Sequence, residues 1–148
     1  LAQYGKFDPS KIGTSDTDYY IGKNPGIDHK SAEKIAYDSN NWDGHLGLSL
    51  NPSCPTHVLR IFTKHYDPEI QSNALLHKNV DPNDIDRAIS DKRTQPSVVS
   101  ALVSMSPHLT KDQLHKIAYP KQGEYGHTDY VRDKAFDRIR AGKYSDGQ

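Results

Sequence analysis

Four triplets of apolar or small residues, spaced five and then three positions apart, constrain this chain more than any other feature. They are Ile27, Ala32 and Ile35; Cys54, Leu59 and Phe62; Val80, Ile85 and Ala88; and Leu109, Leu114 and Ile117. Their first members lie 27, 26 and 29 residues apart. A recurring period in that window marks units that bury an apolar face by stacking on their neighbours. The stretch from Asn51 to Leu76 serves as the type unit, because its landmarks recur on both sides.

Punctuation follows the same period. Asn24-Pro25, Asn51-Pro52 and Ser106-Pro107 stand just ahead of three triplets, with His77-Lys78 as the degenerate copy. Proline cannot continue a helix, so each pair predicts a turn. One residue after the first triplet position come Asp28, Pro55, Asp81 and Thr110, three of which can accept the free amide hydrogens of a helix start. Thr110 to Gln113 has the form of a capping box, and Asp81-Pro82 supplies a cap followed by the proline favoured at the first helical position. Helix A of each unit is predicted to begin there.

About a dozen residues on, Asp67-Pro68-Glu69 and Gln95-Pro96-Ser97 repeat the cap-then-proline signal. Apolar residues four apart follow: Ile70 with Ala74, and Val99 with Val103. Thr128-Asp129, followed by Val131 and Ala135, gives the same helix B in the last unit, and Trp42 stands where helix B of the first full unit should start. Gly44 and Gly47 are expected to weaken that helix by roughly 1 kcal/mol each. Asp16 to Ile21 reads as the helix B of a truncated first repeat, with Ile21 matched to Leu50 and Leu76.

These patterns predict an all-α fold: a right-handed α-solenoid of about four short helical-hairpin repeats, period 26–29, with a terminal half-repeat. Residues 1–15 form an amino-terminal arm, 16–141 the helical-repeat domain and 142–148 a flexible tail. The insertion PKQGEYGH, from Pro120 to His127, is expected to project as a loop from one face.

The unit N-P-x-Φ-[DPT]-x-x-x-Φ-x-x-Φ, with a short second helix opening on D-P-E or Q-P-S, resembles the leucine-rich repeat variant and, more distantly, HEAT-like helical repeats. The resemblance covers residues 16–141 and implies an architecture rather than an activity. The amino-terminal cysteine cluster of the leucine-rich repeat variant is missing here, so no cofactor is carried over. Units of this style also resemble those of tailed-phage proteins, which implies a virion component as one setting.

Chemistry-bearing patterns are sparse. Cys54 is the single cysteine and occupies a triplet position, so it is expected to fill core space. The eight histidines show no pairing at metal-ligand spacing on one helix face, and no metal site is expected. His65 with Asp67 is read as turn chemistry. No nucleophile elbow or glycine-rich phosphate loop is present, and Asp16 with Asp18 and Asp84 with Asp86 are assigned to polar turns or solvent faces. The chain is therefore expected to be non-enzymatic and without cofactors.

Lysine and arginine together number 19, as do aspartate and glutamate, so no overall field favours nucleic acid or an anionic membrane. Arg132, Lys134, Arg138, Arg140 and Lys143 form the one basic cluster and are read as a solvated face. The expected function is a protein-protein interaction module, a structural or assembly component of a larger complex. Trp42, Tyr66, Tyr125, Tyr130 and Arg132 are the candidate partner-binding residues. A nucleic-acid-binding HEAT-like protein, or an enzyme using a groove of the solenoid, are the alternatives. With no apolar run long enough to cross a membrane and no signal peptide at the start, an intracellular (cytoplasmic) or virion location is expected.

Overall fold

The computed structural model describes residues 15–121 and 126–145. Most of the expected arm, residues 122–125 of the 120–127 insertion with Tyr125 among them, and the last three residues lie outside that range. The described residues are all-α, with nine helices and no strand; Thr110 and Ser145 form an isolated bridge. None of the helices is long and apolar enough to cross a membrane. The chain divides into two compact units, residues 1–80 with the first five helices and residues 81–148 with the last four.

In the first unit, α1 (Ser15–Lys23), α3 (Trp42–Ser49) and α5 (Pro68–Leu76) are B helices, and α2 (His29–Tyr37) and α4 (Thr56–Phe62) are A helices. The caps follow the sequence signals except at Gln95, which precedes Pro96 without a side-chain cap bond. Asp28 accepts from Ser31 N–H and Asp67 from Glu69 and Ile70 N–H, while Pro55 begins α4 without a side-chain cap. The second unit holds α6 (Pro82–Ser90), α7 (Pro96–Met105), α8 (Lys111–Ala118) and α9 (Asp129–Arg140). Asp81 and Thr128 cap α6 and α9, and Thr110 with Gln113 forms the complete capping box.

All twelve triplet residues are buried, as are Ile70, Ala74, Val99, Val103, Val131 and Ala135 of the B helices. Cys54 is among them, and burial pushes its thiol up to about 12. The triplets are therefore the inward face of each unit.

Packing corrects the sequence reading in four places. Ile21 is buried, whereas Leu50, its expected counterpart, is 41 % exposed; the buried equivalents are Leu48 and Ala74, each three residues before the turn residue. Gly44 and Gly47 are not weak points. α1 lies so close to α3 that a Cβ on Gly47 would strike the Tyr19 carbonyl oxygen, and one on Gly22 would lie 2.7 Å from the Gly44 carbonyl oxygen. Helix propensity is given up there for backbone-to-backbone approach. Asp18 and Asp84, assigned from sequence to turns or solvent, are buried on α1 and α6, and Asp84 meets Arg87 at 2.6 Å. Finally, the tail is tied at two points: Ser145 N–H donates to Leu109 O, and Lys143 O accepts from Arg138 Nε.

Candidate interaction surface

Two kinds of turn alternate along the chain, and they do different work. Turns leading from a B helix into the next A helix carry a buried polar residue: Asn24, Asn51, His77 and Ser106. Asn51 Oδ1 accepts from Ser53 N–H, closing its own turn, while Nδ2 donates to Gly22 O and Asn24 O of the preceding turn at 2.8 and 2.9 Å. His77 does the same with an imidazole. Its Nδ1 accepts from Asn79 N–H, and its Nε2 reaches Asn51 O at 2.6 Å. The residue that looked degenerate is a functional copy, because both side chains pair one acceptor with one outward donor. This polar ladder supports the scaffold and leaves little to a ligand.

Turns leading from an A helix into its B helix are built differently in the first unit. His45, on α3, and His65, between α4 and α5, approach at 3.0 Å through Nδ1 and Nε2. Asp67 N–H donates to His65 Nδ1, so the proton of that neutral ring sits on Nε2 and points at His45 Nδ1. His45 then places its own Nε2–H on Ile35 O at 3.0 Å. Burial lowers the pKa of both rings, and His45 lowers that of His65 further.

Trp42 joins the same network by donating from Nε1 to Asp67 Oδ2 at 2.7 Å. Burial alone would raise the Asp67 pKa, but the bonds from Trp42 and from Glu69 and Ile70 N–H outweigh it and hold the carboxyl below its ordinary value. Tyr66 stacks on His65 with ring centroids 4.6 Å apart and is 74 % exposed. Tyr37, at the end of α2, is 72 % exposed and Trp42 is 36 % exposed. Asp38, Asp43 and Glu69 line the same turns and helix starts. The structure therefore brings Trp42 and Tyr66 together around Asp67, presenting aromatic area on a fixed polar frame.

Tyr130 and Arg132 lie on α9 of the second unit. Tyr130 is exposed, with Lys134 Nζ 4.8 Å from its ring centroid. Arg132 instead turns inward: Nε donates to Ala118 O at 3.3 Å, closing the end of α8. Two other members of the basic cluster are also committed. Arg138 donates through Nη1 to Val103 O and Ser106 O, and Lys134 donates to Ser104 Oγ. Val103 to Ser106, Lys134, Asp137, Arg138 and Lys143 line a shallow cleft of about 420 Å³ beside them.

His45 and Tyr37 escaped the sequence reading. A signal for His45 existed: it stands six residues before the turn residue Asn51, as Gln71 stands before His77, and Gln71 likewise donates to the end of an A helix, at Thr63 O. Among the described residues, no group of three or more His, Cys, Asp or Glu could hold a metal ion.

Fold and surface together define a class: an all-α, repeat-like chain whose exposed aromatic residues gather at helix turns. No protein-family profile, curated protein or solved structure matches the chain.

Proposed function

We propose that the chain is a non-enzymatic interaction module, a right-handed α-solenoid that joins a protein partner within a larger assembly, of which a phage virion is one example. The observation that carries this reading is the aromatic turn surface of the first unit, where Tyr66, Trp42 and Tyr37 stand exposed on a hydrogen-bonded frame. Aromatic side chains held in fixed positions bury large area on association at small entropic cost, which is why they anchor interfaces. Nucleic acid is the less favoured partner, because Arg132, Lys134 and Arg138 spend hydrogen bonds on neighbouring backbone or hydroxyl groups.

The test is affinity capture from the source cells with the full chain, read by native mass spectrometry and repeated with Tyr66→Ala. A complex of fixed stoichiometry that is lost in the variant, with unchanged circular dichroism, supports the reading. A strictly monomeric chain that turns over a small molecule overturns it.

A further inference from the structure

We propose that the His45–His65 pair is a proton-operated latch between the α2–α3 and α4–α5 turns: one added proton breaks either the imidazole-imidazole bond or the His65–Asp67 bond that orients it, and loosens the segment carrying Tyr66 and Asp67 from α3. The latch belongs to the chain alone and does not rest on the partner-binding reading. Four ring nitrogens are used with two protons. His65 Nδ1 accepts from Asp67 N–H, His65 Nε2–H donates to His45 Nδ1, and His45 Nε2–H donates to Ile35 O.

A third proton has only two nitrogens to occupy. On His45 Nδ1 it faces the His65 N–H; on His65 Nδ1 it faces the Asp67 N–H. Either placement turns a bond into a repulsion. The new charge also sits against the ring of Phe62, whose centroid is 5.0 Å from that of His45 and which cannot solvate it. Asp38, from the end of α2, and Asp67 are the carboxylates acting on the pair, and both draw an imidazolium toward the turn. Lys34 on α2, Arg60 on α4 and Glu69 on α5 are charges carried by the other helices of the unit, and α1 meets the glycine face of α3 through the backbone of Tyr19 and Lys23. Both latch rings have lowered pKa values, so the device is closed at neutral pH and opens below the ordinary imidazole range.

Trp42 is the single tryptophan and is bonded to Asp67, so its fluorescence reports the latch directly. The full chain is titrated from about pH 8 to about pH 5, following Trp42 emission and the histidine ring resonances by NMR. The expected result is one shift of Trp42 emission to longer wavelength, in step with the His45 and His65 resonances. His65→Asn keeps a turn acceptor of the Asn51 kind but cannot titrate, and should abolish the shift; His127→Gln should leave it in place. A flat Trp42 signal while both rings titrate, or an unchanged shift in His65→Asn, overturns the latch. Should His65→Asn fail to fold, the unsubstituted chain decides: two rings titrating independently at the ordinary histidine value also overturn it.

Discussion

Removing the Asn51 side chain would take from Gly22 O its side-chain donor, leave Asn24 O with only its bond from Ile27 N–H, and free Ser53 N–H at the exposed turn. A buried group left unpaired costs of order 1 to 3 kcal/mol, so Asn51→Ala should lose about 1 to 3 kcal/mol by urea denaturation, despite deleting no apolar contact. His77→Asn should lose less, since an asparagine supplies the same acceptor and donor. Sequence showed Asn24, Asn51 and Ser106 as turn punctuation because the prolines beside them are visible. It did not show where their side chains reach, since a donor's partner in the preceding turn lies some 27 positions away. Histidine gives a second residue-scale expectation. Burial lowers the pKa of His45, His65 and His127 below the unfolded value, so the unfolded chain binds more protons as pH falls. Stability from these groups is complete above about pH 6.5 and is lost as pH falls through the lowered values. Melting temperature measured from about pH 7.5 to about pH 5 should fall steadily; a constant value would contradict the burial of these rings.

Helix boundaries were legible because capping is local chemistry. Asp28, Asp67, Asp81, Thr110 and Thr128 all cap the helices they announce, within a few residues of the amides they satisfy. Helix-to-helix distance was not legible. Gly44 and Gly47 lower helix propensity when α3 is considered alone, but Ile35 and Asn41 occupy the space a side chain at Gly44 would need, and α1 the space at Gly47. The two effects have opposite signs under substitution. Propensity predicts that Gly47→Ala gains roughly 1 kcal/mol, whereas a methyl group driven into the Tyr19 carbonyl costs about 1 to 3 kcal/mol and separates the helices. Overpacking should win, because the obstruction is backbone and cannot rotate away. Gly47→Ala is expected to be less stable than the unsubstituted chain, with Trp42 fluorescence as the readout of denaturation; a gain in stability would mean that α1 does not sit against α3.

Across the whole molecule, the apolar period identified both units' interiors from sequence, since burial of a triplet depends only on which residues recur and not on their long-range partners. Deleting one such anchor should therefore be severe: Phe62→Ala, fully buried, is expected to cost about 3 to 5 kcal/mol, a large part of ordinary domain stability, measurable by thermal melting. Surface charge was less legible. Balanced totals give no net charge, but Arg132 to Lys143 read as a solvated basic face, when Arg138 in fact binds the carbonyls that end α7 and Lys143 O beside α9. A guanidinium spent on three carbonyls acts as a brace, and its loss should register in stability before it registers in any polyanion affinity. Arg138→Ala is accordingly expected to lose about 1.5 to 3 kcal/mol in denaturation, with Arg138→Lys recovering only part because an ammonium cannot span the same acceptors. Retention on a DNA column at about 0.15 M salt should be negligible for the unsubstituted chain and unchanged by either variant. Salt-sensitive retention that Arg138→Ala removes, without loss of stability, would instead make this residue a phosphate contact.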